Sequence, residues 1–508
     1  MESYWIKSTE KKEANYQKLE EDITVDVCII GGGITGITTA YYLNKEGLDV
    51  AVIEQDKLAS KASGKTTGKI TSQHGCIYKH LLDTFGEELA RKYLYANQKA
   101  LKNIEKIILE EKISCDFKKE TAYVYTTEYI QLQTLKDEIE ALKAIDSTFP
   151  CNYLEEIPMQ KDILGAVSFN NQAQFHPRKY ILSLANIISQ KGAKIFENTK
   201  ALSIKKQGEQ YCISTKEGKI KAKNVVVATQ YPFKNFPGMY FIKMYQSTSY
   251  AILAETSMPL LEGMYISENV QTRSFRTVKD GNKELLLAVG SDHKTGINID
   301  LNSAYTNLED EIKTIYQDAK IKYKWNTQDC ITLDKVPYIG EFSSIMQGIY
   351  VATGYNKWGM STSNIAAEII TDKILNRVNK YEDIFKATRL NVVKNHTPFS
   401  NMVKQSFKSL VTEKMKIKEE NLQDIKAGDG KVIIKDNKKV GVYKDPKGKI
   451  YLVNPVCTHL GCLLVFNNLE KTWDCPCHGS RFTFEGKCIY GPSNKDLESY
   501  TSCNKNSI

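Results

Sequence analysis

The sequence predicts a chain of two unlike parts, a long α/β domain followed by a small all-β domain. At 508 residues the chain is too long for one hydrophobic core, so two or three domains are expected. Near the N-terminus an apolar strand, closely spaced glycines, a helical run and a second apolar strand follow one another, which is the order of a βαβ unit. After residue 412, short strands alternate with the turn sequences GDG, DN and DPKG, which indicates a separate β-rich domain.

The composition is that of an ordinary globular protein, with 42% hydrophobic and 25% charged residues. The net charge of +9 comes from 69 basic against 60 acidic residues, but the basic residues are scattered, so no nucleic-acid partner is expected. The N-terminal stretch MESYWIKSTEKKEANYQKLEED is charged, and no later stretch approaches the roughly eighteen apolar residues of a membrane span. We expect a cytoplasmic protein without a transmembrane segment.

The first structural element, VDVCIIGGGITG, is a strand that runs into the spacing G-x-G-x-x-G. Gly31 permits a tight turn, Gly33 lets the backbone approach a pyrophosphate, and Gly36 lets the following helix pack close to the strand. The N-terminus of that helix offers N–H groups and positive dipole to the phosphates. The next strand, DVAVIE, ends at Glu54, which is placed to accept a hydrogen bond from a ribose hydroxyl. The pattern predicts one dinucleotide site.

Later segments carry a resemblance to a known family. KNVVVATQ is a short strand that ends in Ala228 and Thr229, and DKVPYIGEF precedes GIYVATGYNKWGMSTSNIAAEIITDKI, a strand, a glycine turn and a helix. With GGGITG and Glu54, these segments resemble the D-amino-acid oxidase and glycine oxidase family of FAD-dependent amine and amino-acid oxidoreductases, over roughly residues 24 to 380. The resemblance implies a Rossmann-like FAD-binding domain made of discontinuous segments, with an inserted mixed β-sheet substrate domain.

The same resemblance implies which residues contact FAD. SGKTTGKITSQHG would run past the flavin, and the helix that begins near Gly359 would point its N-terminus at the flavin's pyrimidine end. The helix dipole there would stabilise the negative charge of a reduced flavin. The implied FAD contacts are Gly31, Gly33, Gly36, Glu54, Thr66, Thr67, Ala228, Thr229, Gly354, Gly359, Met360 and Ser361.

The domain boundaries follow from these patterns. A polar N-terminal segment, 1–23, precedes the flavoprotein part, 24–395. Within that part, the helix-periodic stretch at about 85–150 and the strand-rich stretch at about 240–330 are candidates for the substrate domain. Residues 396–412 are the predicted linker, and 413–508 form the C-terminal domain.

The C-terminal domain contains CTHLGC and CPCHGS. Cys457-x-His459 and Cys475-x-x-His478 supply two thiolates and two imidazoles. This ligand set suits tetrahedral zinc, and it equally suits a [2Fe-2S] centre in which two cysteines hold one iron and two histidines the other. The ligand types alone leave both metals open.

Both stretches resemble, along their full length, the two boxes of Rieske [2Fe-2S] proteins, and Gly491-Pro492 matches the loop that covers the cluster in that family. The resemblance implies a disulfide between Cys462 and Cys477, for which a zinc site has no use. It places Ser480 where a hydroxyl commonly bonds a bridging sulfide. Phe482 stands where many high-potential members have a tyrosine that donates to a ligand sulfur, and loss of that donor predicts a lower reduction potential.

Together the two parts predict an oxidoreductase with FAD and a [2Fe-2S] cluster as cofactors. The expected reaction is dehydrogenation of an amine or amino acid by hydride transfer to FAD, with electrons leaving singly through the cluster to a ferredoxin-like carrier or a quinone. A simple oxidase would not need the cluster. Two alternatives stay open: a ferredoxin-driven reductase that runs the circuit backwards, and a flavin oxidase with a structural or redox-sensing Rieske module.

The substrate-contacting residues are less strongly indicated by sequence. Arg276, in QTRSFRTV, lies where related enzymes place an arginine that binds a carboxylate, and Arg273 is the alternative. His74 follows the flavin-passing stretch and is the second predicted catalytic residue. Further candidates, each with an equally plausible packing role, are His176, His293, Tyr355 and Trp358.

Overall fold

The structure is a computed structural model, and it describes residues 2–159, 161–234, 236–297, 303–389, 417 and 419–500. The predicted linker, 396–412, lies outside the described residues. Within the described ranges, none of the helices has both the length and the apolarity needed to cross a bilayer.

The described residues contain eight α-helices. In chain order they are α1 Tyr4–Lys7, α2 Ile34–Lys45, α3 Tyr78–Glu110, α4 Tyr129–Ile145, α5 Pro177–Gln190, α6 Ala304–Ile315, α7 Gly359–Ile374 and α8 Glu382–Phe385.

The described strands of the long N-terminal part are β1 Ile23–Ile30, β2 Val50–Ile53, β3 Lys69–Ile70, β4 Lys118–Thr126, β5 Cys151–Leu154, β6 Gly165–Gln174, β7 Lys194–Phe196, β8 Ser203–Gln207, β9 Gln210–Ser214, β10 Lys219–Val227, β11 Met244–Glu255, β12 Met264–Ser267, β13 Arg273–Asp280, β14 Lys283–Lys294, β15 Lys320–Thr332, β16 Tyr338–Glu341 and β17 Ile349–Thr353. Those of the C-terminal part are β18 Gly430–Lys435, β19 Lys438–Lys444, β20 Ile450–Val453, β21 Val465–Asn467, β22 Thr472–Asp474, β23 Arg481–Thr483, β24 Cys488–Tyr490 and β25 Ser499–Tyr500.

The first sheet contains β1 and β2, the strands on either side of the glycine spacing and α2. Its main strands stand in the order β16-β17-β10-β1-β2-β7, with β17, β10, β1, β2 and β7 parallel. The apolar runs of β1 and β2 are buried on both faces, as parallel strands covered by helices are. Because the strands come from three separated parts of the chain, the predicted discontinuous α/β domain is confirmed.

The second sheet has nine strands, in the order β15-β11-β14-β13-β12-β4-β6-β3, with β5 paired to β6. It is mixed, since β12 and β4 are parallel while their neighbours pair antiparallel. β3, β5 and β6 lie outside the two stretches, about 85–150 and 240–330, that the sequence suggested for the substrate domain. The inserted sheet therefore draws on more of the chain than its periodic stretches indicate.

The N-terminal segment, expected to be merely polar, is packed into the fold. Tyr4 and Trp5 of α1 are buried. The Trp5 indole N–H donates to the Thr66 carbonyl at 2.7 Å, and its ring lies beneath the Arg276 guanidinium. The segment thereby fixes the stretch that the sequence assigns to the flavin.

The C-terminal domain consists of two four-stranded sheets, β18-β19-β20-β25 and β21-β22-β23-β24. Its core is centred on Trp473 and Phe482, both fully buried. Gly441 makes room for the indole, since a Cβ there would lie 2.9 Å from the Trp473 ring. The small all-β domain is thus confirmed.

The two parts of the chain contact each other along β15. Buried Arg481 pairs with Asp474 at 3.0 Å and donates to Asn326 Oδ1 at 3.1 Å. Gln328 Nε2 donates to the Gly479 carbonyl at 2.7 Å. These bonds set the C-terminal domain against the edge of the second sheet.

Candidate functional site

A large cleft opens at the carboxyl ends of β1, β2, β10 and β17, where open α/β sheets bind ligands. It encloses about 1620 Å³, part of it open to solvent. Nine of the twelve residues predicted to contact FAD line it: Gly31, Gly33, Glu54, Thr66, Ala228, Thr229, Gly354, Gly359 and Met360. The other three, Gly36, Thr67 and Ser361, do not line it.

The glycine turn after β1 has no room for side chains. Gly31 has a φ of +117°, and a Cβ there would lie 2.4 Å from the Ala228 carbonyl oxygen. A Cβ on Gly36 would lie 1.9 Å from the Gly31 carbonyl oxygen. Gly36 therefore acts by bringing α2 close to β1, which is the packing task that its spacing predicts.

Glu54 stands at the end of β2 on the cleft wall. Its Oε2 accepts from the Gly32 N–H at 2.8 Å and its Oε1 from the Asp56 N–H at 3.0 Å. Burial raises the pKa of this carboxyl group, against the opposing effect of the two N–H donors. The side chain is held in one position beside the glycine turn.

The stretch 63–75 is anchored largely through its backbone. The Thr67 carbonyl accepts from Arg276 Nε, and the Lys65 carbonyl accepts from the Trp325 indole N–H at 2.9 Å. Ser63 Oγ accepts from the N–H of Ile34, the first residue of α2, at 3.0 Å. The stretch therefore links the first sheet's helix to the second sheet.

At the far end of the cleft, α7 begins with Gly359. Gly354, with a φ of +71°, ends β17 and turns the chain into the loop before this helix. In that loop, Tyr355 lines the cleft, and its hydroxyl lies 3.0 Å from Thr35 Oγ1. The N-terminal turn of α7 thus faces the cleft with its positive dipole.

His74 is buried behind this turn and does not line the cleft. Its Nδ1 lies 2.7 Å from the Tyr93 hydroxyl, its Nε2 lies 2.8 Å from the Thr71 carbonyl oxygen, and its ring stacks on Trp358. Burial lowers its pKa to about 3, so the ring is neutral, with Nε2–H donating to Thr71. These contacts make His74 a positioning residue for the start of α7.

The arginines expected to bind a substrate carboxylate have other partners. Arg276 donates to the carbonyl oxygens of Thr67, Thr277 and Phe175, and it lines a second cavity, away from the cleft. Arg273 Nε pairs with Glu311 at 2.5 Å. The geometry favours structural roles for both, and their contact with substrate stays a prediction.

The remaining histidine candidates also have structural partners. His176 is the N-cap of α5, with Nδ1 accepting from the Lys179 N–H at 3.1 Å. His293 stacks on Tyr250 at 5.8 Å between ring centroids. Neither of them lines the cleft.

The C-terminal domain forms one wall of the cleft, which the sequence did not indicate. Lining residues come from its stretch 488–494, including Tyr490 and Gly491. From the opposite side, Lys200 Nζ donates to the Asn494 carbonyl at 2.8 Å, and Lys61 Nζ lies 5.6 Å from the Tyr490 ring centroid. No local signal marks this wall, because it arises from the docking of two domains.

The unpaired polar atoms on the cleft wall are suited to bind FAD. Four buried polar atoms on its lining residues have no hydrogen-bond partner among the described residues: Ser60 Oγ, Tyr231 OH, Asn356 Nδ2 and Tyr490 OH. Buried polar groups are normally paired, so these atoms indicate a polar ligand. With the glycine turn and Glu54, the lining fits a dinucleotide that extends to the start of α7.

The predicted metal ligands converge in the C-terminal domain. The thiols of Cys457 and Cys475 lie side by side, so that each shifts the pKa of the other, lowering that of Cys457 and raising that of Cys475, and the rings of His459 and His478 lie 5.1 Å apart between centroids. Burial lowers the pKa of both histidines to about 4, which keeps the imidazoles neutral, as metal ligands must be. His478 Nδ1 is buried and has no hydrogen-bond partner among the described residues.

Cys462 and Cys477 form a disulfide, the pairing that the resemblance implied. Their Sγ atoms lie within 4.8 Å of Cys475 Sγ, but sulfurs joined to each other cannot serve as thiolate ligands. The available donors are therefore two sulfurs and two imidazoles. This set fits a cluster whose two irons have unlike ligands.

Glutamine side chains connect the metal centre to the cleft, Gln246 directly and Gln230 through Gln328, whose Nε2 donates to the Gly479 carbonyl. Gln246, on the cleft wall, donates through Nε2 to the carbonyl oxygens of His478 at 3.0 Å and of Gly491 at 2.5 Å. Gln230, also on the wall, donates to the Gln328 carbonyl. Phe241 lies against both histidine rings, at 5.9 Å from His459 and 5.7 Å from His478. Gln246 thus contacts both the cleft and the second ligand loop.

Comparison with protein families gives two matches. The model described as FAD dependent oxidoreductase matches residues 26–373. The model described as Rieske [2Fe-2S] domain matches residues 414–501. The two matches cover the cleft's sheets and the cysteine and histidine centre respectively.

Individual proteins with similar sequences or folds agree with these matches. YhfW of Bacillus subtilis (strain 168), described as a Rieske 2Fe-2S iron-sulfur protein, is 36% identical over 98% of this chain and 97% of its own length. The gamma-glutamylputrescine oxidoreductase of Escherichia coli (strain K12) is 23% identical over 75% of this chain and 90% of its own. The crystal structure of glycine oxidase from Geobacillus kaustophilus superposes with a TM-score of 0.60 and 19% identity, over 72% of this chain and 99% of that one.

Proposed function

The chain belongs to the FAD-dependent oxidoreductase family and ends in a Rieske [2Fe-2S] domain, and from this membership we propose that it dehydrogenates an amine or amino acid and delivers the electrons to an external one-electron carrier or a quinone. Its cofactors are FAD and a [2Fe-2S] cluster. The E. coli relative, whose name describes an oxidoreductase of gamma-glutamylputrescine, supports a nitrogen-containing substrate.

The residues that would hold FAD are those of the cleft wall. In the proposal, the glycine turn and the start of α2 bind the pyrophosphate, Glu54 binds the adenosine ribose, and the start of α7 faces the flavin. When bound, FAD accepts two electrons as a hydride, and a [2Fe-2S] cluster takes electrons singly. The stretch 488–494 lines one side of the cleft.

Cys457, His459, Cys475 and His478 are the proposed cluster ligands. Within the same loops, Ser480 Oγ accepts from the Ser493 N–H at 3.0 Å, and this bond ties the Gly491-Pro492 loop to the second ligand loop. The contact supports a covering role for that loop.

The observation that carries the proposal is Gln246, which lines the cleft and also bonds the backbone of a proposed ligand, His478. A cluster with a purely structural task would have no need to lie against the flavin site. The shared wall supports electron transfer within one chain, since it leaves one side chain and one peptide between the cleft and the ligand loop.

The test is anaerobic spectroscopy of the purified holoprotein, with a panel of amines and amino acids as reductants. We expect one compound class to bleach the flavin absorption and to produce the electron paramagnetic resonance signal of a reduced Rieske cluster. In a Gln246→Leu variant, flavin reduction should keep its rate while reduction of the cluster slows.

Other outcomes would select the alternatives. Bleaching of the flavin by reduced ferredoxin, with no effect of any amine, would indicate a reductase that runs in the opposite direction. Full steady-state turnover with the physiological acceptor in a Cys457→Ser variant without cluster would assign the Rieske domain a sensing or structural role.

A further inference from the structure

An acidic side chain, Asp329, lies on the wall of the cleft near the start of α7. The carbonyl of its neighbour Cys330 accepts from the Asn356 N–H at 3.1 Å, and Asn356 Oδ1 accepts from the Thr332 N–H at 2.8 Å. These bonds join the end of β15 to the loop that leads into α7. Asp329 is therefore at the end of the cleft opposite Glu54, the end assigned to the flavin.

The two faces of β15 have different surroundings. Asn326 and Gln328 bond the C-terminal domain, whereas the Trp325 indole bonds the Lys65 carbonyl in the stretch 63–75. Since side chains alternate along a strand, Asp329 shares the face of Trp325. Its carboxylate thus lies on the side of the strand that faces the stretch 63–75, which the proposed function assigns to the flavin.

The polar groups around Asp329 form an acidic site. Lys357, in the loop before α7, is the nearby cation, and its Nζ pairs with Asp292 at 3.0 Å. Two carboxylates therefore face one ammonium group. None of the described residues donates a hydrogen bond to the Asp329 carboxylate, and burial raises its pKa to about 6, so it is charged at neutral pH.

A neighbouring polar atom on the same face also has no partner. In the register of β11 and β15, Ser247 stands opposite Asp329 and Ser249 opposite Thr327. Ser249 is 3% exposed, and its Oγ has no hydrogen-bond partner among the described residues. A buried hydroxyl without a partner beside an acidic group indicates a polar ligand on this face of the sheet.

Among the described residues, the end of the cleft near Asp329 offers no free cation for a carboxylate group, and the other lining lysines, Lys61 and Lys200, pair with Asp56 and the Asn494 carbonyl. The described residues that line the cleft include no arginine, since Arg276 bonds backbone carbonyls and Arg273 pairs with Glu311. Lys357 is already paired. A zwitterionic amino acid would bring its carboxylate towards two acidic side chains, whereas an amine would bring only its ammonium group.

We propose that Asp329 binds the positively charged nitrogen of the substrate, and that the substrate is a cationic amine without a carboxylate next to its reacting carbon. This assignment rests on the proposed amine or amino-acid dehydrogenation and narrows it to one of the two classes. Asp329 is then the residue that determines specificity.

The experiment compares substrates that differ by one carboxylate: 1,4-diaminobutane with ornithine, and benzylamine with phenylglycine. Anaerobic flavin reduction by each is followed in the holoprotein and in the Asp329→Asn and Asp329→Arg variants. We expect the amines to reduce the flavin at least tenfold more efficiently than the amino acids. Asp329→Asn should raise the amine concentration for half-maximal reduction at least tenfold, with unchanged FAD and iron content.

Asp329→Arg should reverse the preference towards the amino acids. Asp318→Asn, at an exposed acid near the other end of β15, is the control. It should change neither the preference for amines nor the amine concentration for half-maximal reduction. Equal reduction by amine and amino acid, or unchanged amine binding in Asp329→Asn, would overturn the assignment.

Binding is measured separately from reduction, by the change in the flavin absorption spectrum on titration with the amine under conditions without turnover. If none of the compounds reduces the flavin, the proposed function fails. An amine-induced spectral change that disappears in Asp329→Asn would still support the binding site, and an unchanged one would refute it.

Discussion

The four proposed cluster ligands lie within residues 457–478, whereas the residues of the FAD cleft extend from Ile30 to Asn494. The ligand loops are local structures, each with two ligands a few residues apart, and the disulfide joins them over a separation of 15 residues. The cleft is assembled from strand ends of one sheet, an edge strand of a second sheet and a loop of a separate domain.

The two sites therefore depend on the fold to different degrees. The four proposed ligands and the disulfide of the cluster centre all come from one small domain. The cleft needs every domain, including the Rieske domain that forms one of its walls. Changes to the first sheet's side of the cleft should therefore lower the FAD content alone. Changes to the cluster domain can lower the content of both cofactors.

The largest expected effect comes from the glycine turn. In Gly36→Ala, the new Cβ would meet the Gly31 carbonyl oxygen at 1.9 Å and force α2 away from β1. Overpacking of this kind costs about 1–3 kcal/mol. We expect the FAD content of the purified protein to fall at least tenfold, by absorbance, while iron content and the Rieske signal per chain stay unchanged.

Gly47→Ala is the control for this change. Gly47 has a positive φ, +83°, which Gly36 does not, but none of the described residues has an atom within 4 Å of the added Cβ. The variant should cost about 1 kcal/mol and keep its FAD. Loss of both cofactors in Gly36→Ala would show that the cluster domain does not assemble independently.

The second expected effect concerns the disulfide. Removing it with Cys462→Ser and Cys477→Ser together should destabilise the cluster domain by about 3 kcal/mol, because the unfolded loop of 15 residues regains conformational entropy. Thermal bleaching of the cluster should then occur at a lower temperature, followed by release of FAD as its wall is lost.

Cys151→Ser, at a free and half-buried cysteine of β5, is the matched control and should leave both temperatures nearly unchanged. If the double variant released FAD at the same temperature as the wild type, the C-terminal domain would have no role in closing the cleft.

The third effect is a pH dependence confined to the flavoprotein part. Burial lowers the pKa of His74 to about 3 and that of His176 to about 2, whereas histidine in an unfolded chain titrates near 6.5. The unfolded state therefore binds protons first as the pH falls. Each histidine contributes stability that is complete above pH 6.5 and decreases by about 2 kcal/mol on acidification to pH 5.

Denaturant unfolding between pH 5 and 7.5, monitored by flavin fluorescence, measures this slope. His74→Gln should reduce the slope, because it removes one of the two titrating groups. His80 is partly exposed, and burial lowers its pKa as well. His80→Gln should therefore reduce the slope by a smaller amount than His74→Gln does. An identical slope in the wild type and both variants would contradict the assignment of this pH dependence to the buried histidines.

The smallest effect is on the cluster's reduction potential. Phe482→Tyr would restore a hydroxyl at the position where the family's high-potential members have one, and a new donor to a ligand sulfur favours the reduced cluster. We expect the potential to rise by about 60 mV, a tenfold change for a one-electron couple. Redox titration measures it, with Phe484→Tyr on the neighbouring aromatic cluster as the control.

An unchanged potential would show that the hydroxyl does not reach the sulfur in this domain. A wild-type potential at or above that of respiratory Rieske proteins would contradict the prediction made from Phe482 itself.

Much of the fold and half of the site could be predicted from sequence because the motifs combine local geometry with chemistry. The glycine spacing predicted the turn at Gly31, and the order of segments predicted the discontinuous α/β domain. The extent of the second sheet was underestimated, because short strands such as β3 and β5 carry too few residues to show a period. The buried N-terminal helix was missed for the same reason.

The residues that would contact the substrate were the hardest to predict from sequence. Sequence patterns favoured Arg276 and His74, whose polar atoms proved to bond backbone and buried neighbours away from the cleft. Asp329 lies in a stretch, QDCITLD, that has no recognised motif. Its place in the cleft depends on which face of β15 it occupies and on how the loop before α7 packs.

By itself, the sequence indicated the two domain types and, through the family resemblance of its motifs, the two cofactors, the proposed cluster ligands and the disulfide pairing, because the motifs that carry the resemblance have fixed spacing in the chain. Only the tertiary structure decided that the C-terminal domain forms one wall of the cleft, that Gln246 contacts both sites, and that Asp329 lies on the cleft wall. These features arise from contacts between residues some 80 to 460 positions apart, and such contacts leave no pattern in a single sequence.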